Sequence, residues 1–99
     1  MMNKRAELGE WSLRLENILK EEGVIDGEGE LVAERRSEFP KAVEEAIDGL
    51  LDNPAELNGL LKICRAARRG ERLSQTVLDA APLMAREVLL VLDDMRRLR

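Results

Sequence analysis

The sequence contains no histidine and no tyrosine, and only one tryptophan, one phenylalanine and one cysteine. Imidazole is the usual general base and the commonest transition-metal ligand near neutral pH. Its absence removes most hydrolase triads and most zinc or iron sites. A lone cysteine, Cys64, excludes an intrachain disulfide and a thiolate metal cage. The longest unbroken apolar run is Val88-Leu89-Leu90-Val91-Leu92, far short of the roughly 18–20 residues that cross a bilayer. No glycine-rich phosphate loop is present. Branched and aromatic residues, which cover sheet faces, are scarce: Val, Ile and Thr together number 11. The sequence therefore offers no catalytic residue, no cofactor-binding or metal-binding residue and no membrane span, and an enzyme is not expected.

What fills the chain instead is Leu, Glu, Arg, Ala and Lys, which supply 57 of its 99 residues. That composition is typical of helical bundles. The expected fold is all-α, a single helical domain over residues 1–99, with four main helices and one or two short helical segments. The formal charge is −4, spread unevenly: residues 1–50 carry net −6 and residues 51–99 net +2. Such an imbalance suits helix-to-helix pairing as well as an outside partner. The N-terminal Met1-Met2-Asn3-Lys4-Arg5 has no apolar stretch behind it, so no secretory signal is read and a cytoplasmic location is the expectation.

Hydrophobic spacing places the helices. Leu8, Trp11, Leu15, Ile18 and Leu19 share a face of a helix over about 3–22, stopped by Gly23. Asp26-Gly27-Glu28-Gly29-Glu30 reads as an acidic turn. Val24-Ile25 and Leu31-Val32 could pair around it, but a loop followed by a helical segment over about 30–37 is the preferred reading. Pro40 opens a helix reaching about Asp52, with Val43, Ala46, Ile47, Leu50 and Leu51 inward. Asn53-Pro54-Ala55-Glu56 is a capping signal for a helix over 54–69 ended by Gly70, with Leu57, Leu60, Leu61, Cys64 and Ala67 inward. The short break between these two helices predicts antiparallel neighbours. A short helix over 73–80 follows, capped near Ser74. Pro82 ends or kinks it, and a last helix runs over about 82–97.

Two features point toward function. Met84, Val88, Val91, Met95 and Leu98 form a heptad seam on the last helix, with Leu89 and Leu92 beside it and Leu83 and Leu90 on the other flank. The apolar arc is wider than one contact needs. Met84, Val88, Leu89, Leu90, Val91, Leu92 and Met95 are accordingly the candidates for self-association, as a homodimer or with another helical protein. The second feature is basic: Lys62, Arg65, Arg68, Arg69 and Arg72 could grip nucleic-acid phosphates. A helix-turn-helix reading around Gly70 fails, because Arg65, Arg69, Glu71 and Thr76 fall where apolar residues belong. A solvated face, or pairing of the stripe with the acidic first half, is the simpler expectation.

Other motifs read as structural. Asp26, Glu28 and Glu30 begin like a calcium loop, but the positions that need Gly and Glu hold Leu31 and Ser37. The carboxylates of Glu44, Glu45 and Asp48 lack the histidines that a di-iron bundle site uses. Cys64 lies on an inward stripe and reads as a core residue. Trp11, alone at helical spacing, reads first as a core residue, with an interface as the alternative. The expected function is a non-catalytic protein–protein interaction or regulatory module that self-associates through its last helix, with nucleic-acid binding through the basic stripe as the alternative.

Overall fold

The structure, a computed structural model, describes residues 3–98. Four α-helices carry it: α1 (Lys4–Glu21), α2 (Lys41–Ile47), α3 (Pro54–Arg68) and α4 (Gln75–Arg97), with a 3₁₀ turn at Arg36–Glu38 before α2. The fold is a small all-α bundle.

Local chemistry sets most of the helix ends. Asn3 Oδ1 accepts from the Ala6 N–H at 2.7 Å, Asn53 Oδ1 from the Glu56 N–H at 3.1 Å, and Ser74 Oγ from the Val77 N–H at 3.2 Å. Each satisfies a donor that the first turn leaves unpaired. Glu56 reaches back as the sequence predicts, but its Oε2 takes the N–H of Asp52, at 2.8 Å, one residue before the cap. At the C-termini of α1 and α3, Gly23 and Gly70 adopt positive φ of 78° and 77°. The following N–H groups bond back to Leu19 and Ala66, closing a Schellman turn at each end.

Three expectations are corrected. Residues 30–35 form no helix; instead Ile25 and Leu31 pair as an isolated antiparallel bridge. Asp26 organises this turn, its Oδ1 accepting the N–H groups of Glu28 at 2.9 Å and Glu30 at 3.0 Å. α2 stops at Ile47 rather than Asp52, because Asp48 turns out of the helix at ψ 134° and Gly49 follows at φ 87°. α4 runs unbroken from Gln75 through Pro82. Pro82 has no N–H for the Leu78 carbonyl, a loss of about 3 kcal/mol in a free helix. Burial of Ala81, Pro82 and Ala85 against the core offsets it.

Helix order in space follows from the contacts. Lys4 pairs with Asp79 at one end, and Arg96 with Glu21 at 2.6 Å at the other, so α1 and α4 run parallel. α3 returns along α1, with its C-terminal Ala67 carbonyl receiving Arg5 Nη1 at 3.1 Å. α2 and α3 are not the side-by-side pair that their short connection predicts. α2 packs on α4, and α3 on α1 and α4. Leu8, Leu15, Leu19, Leu57, Leu61, Val88 and Leu92, each 1% exposed or less, fill the centre between α1, α3 and α4. No helix among the described residues is long and apolar enough to cross a membrane.

Candidate functional site

The predicted self-association seam divides when folded. Val88, Leu89 and Leu92 are core residues, 0%, 2% and 0% exposed. Met84, Val91 and Met95 are half-buried against that core. Among the seven residues of that set only Leu90 stands well into solvent, with Leu83 and Leu98 exposed nearby on the same helix. Val88, Leu89 and Leu92 therefore serve the bundle's own interior and offer no surface to a second chain.

The basic stripe is largely occupied from within. Arg68 makes a two-pronged pair with Glu16 of α1, at 2.5 and 3.0 Å, and Nη1 also donates to Ser12 Oγ at 3.4 Å. Arg65 donates to the Gly29 carbonyl at 3.3 Å and to Glu30 at 3.2 Å, which ties α3 to the acidic turn. Arg69 pairs with Glu71 at 2.5 Å. Lys62 and Arg72 are exposed and enter no ion pair among the described residues. Pairing with the acidic half takes up Arg65 and Arg68. These pairings bring Glu16, Glu30 and Glu71 against the stripe and offset part of its charge.

Cys64 is fully buried on the inner face of α3. Burial, reinforced by the nearby Glu16 charge and opposed by Arg68 and Arg65, pushes its thiol up to about 11. A thiol so held is not a nucleophile at neutral pH. Trp11 is half-buried on the flank of α1. Its indole N–H donates to Glu7 at 3.4 Å, and the Arg14 guanidinium lies 5.5 Å from its ring centre. Among the described residues, no three metal-capable side chains converge.

The feature that sequence reasoning missed is an open groove of about 660 Å³ where α3 and the first half of α4 lie apart, closed at one end by the α2–α3 connection. Leu51, Leu60 and Ala81 are buried in its floor. Leu50, Ile63, Val77 and Met84 form half-buried walls. Gly59 on α3 and Ala80 on α4 stand at the lips. Neither carries enough side chain to bridge the gap, and Gly59 has no neighbour within 4 Å of where a Cβ would stand. A glycine inside a helix weakens it, so Gly59 on the face of α3 opposite α4 was the available signal.

The groove is electrically one-sided. Asp52 and Glu56 edge the end at the α2–α3 connection. Residues 42–61 carry five acidic side chains and no basic one. Arg36, from the 3₁₀ turn, pairs with Asp48 and, at 3.5 Å, with Glu44, and so offsets part of that charge. The opposite end, toward the α3–α4 turn, is neutral at Ile63, Thr76 and Val77. Comparison with protein-family models, curated proteins and solved structures gives no significant match.

Proposed function

We propose that this chain is a non-catalytic protein–protein interaction module whose groove between α3 and α4 receives an amphipathic helix from a partner. The carrying observation is the groove itself: an apolar trough lined by half-buried Leu50, Ile63, Val77 and Met84, with acidic Asp52 and Glu56 at one end only. From Glu56 to Ile63 its α3 wall spans two helical turns, about 10 Å at 1.5 Å per residue. That length matches apolar anchors at i, i+4 and i+7 of a docked helix. The acidic end then selects Lys or Arg one turn beyond the anchors. It also fixes which way the helix lies, since charge placement decides register more than affinity.

The nucleic-acid alternative draws no comparable support, because Arg65, Arg68 and Arg69 already hold carboxylates. Selection from a phage-displayed library of helical peptides tests the groove reading, with Ala80→Arg as the counter-target. Ala80 is exposed on α4, so the variant keeps the fold while placing a long cation across the lip. The expected outcome is enrichment of peptides with i, i+4, i+7 apolar residues and a basic end that bind the wild type and not Ala80→Arg. No enrichment, or equal binding to both proteins, overturns the reading.

A further inference from the structure

The solvent face of α4 is a second surface, separate from the groove. Leu83 and Leu90 are 60% and 46% exposed. They lie seven residues apart and so fall on one line along the helix, about 10 Å from each other. Arg86 and Glu87 sit midway between them, both exposed and in no ion pair among the described residues. At about 100° per residue they fall on opposite sides of the Leu83–Leu90 line, Arg86 on one flank and Glu87 on the other. The core face of the helix, through Ala85, Val88 and Leu92, points the other way.

We propose that two copies of the chain associate weakly through this face, with their α4 helices parallel about a two-fold axis. That symmetry sets each leucine against its own counterpart, Leu83 on Leu83 and Leu90 on Leu90. It also places the Arg86 flank of each copy beside the Glu87 flank of the other, twice over, at nearly the same height. An antiparallel pairing would instead set Arg86 against Arg86 and Glu87 against Glu87, because flanks then meet their own kind. The face is thus self-complementary in charge in one orientation only, and the occupant it fits is a second copy. Two leucines and two exposed charge pairs make a small contact, which belongs with transient dimers rather than obligate ones. This surface shares no residue with the groove lining, and the dimer is assayed with no partner helix present.

Sedimentation velocity over a concentration series, up to about 1 mM because small contacts bind weakly, tests this with four proteins: wild type, Arg86→Glu, Glu87→Arg and the double exchange. All substituted positions are exposed, and circular dichroism verifies that each variant is folded. The wild type is expected to shift toward dimer as concentration rises. Each single reversal puts like charges opposite one another and weakens dimerisation roughly tenfold, since it turns two modest attractions into repulsions. The double exchange restores the complementarity and is expected to recover the wild-type constant. A wild type that stays monomeric throughout overturns the proposal. So does a dimer that the single reversals leave unchanged, or one that the double exchange fails to rescue.

Discussion

Removing Arg68 and removing Glu16 should have unequal consequences, although the two groups form one ion pair. Glu16 sits on the inner side of α1, 7% exposed, and its side chain receives both prongs of Arg68. Arg68 keeps about a quarter of its side chain in solvent, 27% against 10% for Glu16. Arg68→Ala therefore strands a buried carboxylate, and the nearby Ser12 hydroxyl, which also receives Arg68, already donates to the Gly9 carbonyl at 2.9 Å. Stranding a buried charge costs about 3–5 kcal/mol, and partial solvent access here brings the figure to about 3. Glu16→Gln leaves a cation that can turn outward to water, and its cost should be nearer 1 kcal/mol. A double change to Glu16→Leu with Arg68→Met removes both desolvation penalties and keeps the packing between α1 and α3. It should fall within about 1 kcal/mol of the wild type. Against a total stability of about 5–15 kcal/mol, these differences separate cleanly in urea unfolding. Equal midpoints for Arg68→Ala and Glu16→Gln would refute the burial asymmetry. A double variant destabilised by about 3 kcal/mol or more would show that the pair contributes net stability over its apolar replacement.

Three further outcomes follow from the geometry. Cys64 should resist a disulfide-exchange reagent in the native protein and react fully once unfolded, as absorbance of the released thiolate will report. Its thiol is raised from an ordinary 9.0 to about 11, so the folded state holds the proton more tightly than the unfolded chain. The stability this contributes is complete below pH 9 and lost as pH rises toward 11, at most about 3 kcal/mol. Chemical unfolding at both pH values should show that loss in the wild type and not in Cys64→Ala. Asn53→Ala removes the acceptor for the Glu56 N–H and should cost about 1 kcal/mol, lowering the melting temperature by roughly 4–8 °C; a calorimetric trace that overlays the wild type refutes the cap. Fluorescence anisotropy with duplex and single-stranded DNA at low salt should show at most weak binding, because only Lys62 and Arg72 of the stripe enter no ion pair among the described residues; tight binding lost on Arg65→Ala would reverse that reading.

The parts of the fold that were legible in the sequence are those that depend on near neighbours. Asn53, Ser74, Gly23 and Gly70 act within one turn of the helix ends they define, and each does in the structure what its residue type suggests. The inward faces of α1 and α3 also follow, since Leu8, Leu15 and Leu19, and Leu57, Leu61 and Cys64, repeat at helical spacing. Pro82 misleads because its cost is local while the burial that offsets it comes from the rest of the bundle. The side-by-side placement of α2 and α3 fails for a similar reason: α2, with Val43 and Ile47 buried, packs on α4, a long way off in sequence. Periodicity identifies the apolar face of α4 but says nothing of what covers it, and Val88, Leu89 and Leu92 are covered by the bundle itself. The groove was not legible because its opening depends on small residues at its lips, Gly59 and Ala80, whose contribution is the space they leave.

Methyl-resolved NMR on the isotope-labelled protein, titrated with the peptide of highest affinity from the library selection, tests whether the groove between α3 and α4 is where a partner helix docks. The methyl signals of Leu50, Ile63, Val77 and Met84, which line the groove, are expected to move together and saturate. Those of Leu13 and Leu98, exposed elsewhere on the molecule, should stay in place. Saturable shifts centred on Leu13, Leu98 or any surface outside the groove would contradict docking in the groove.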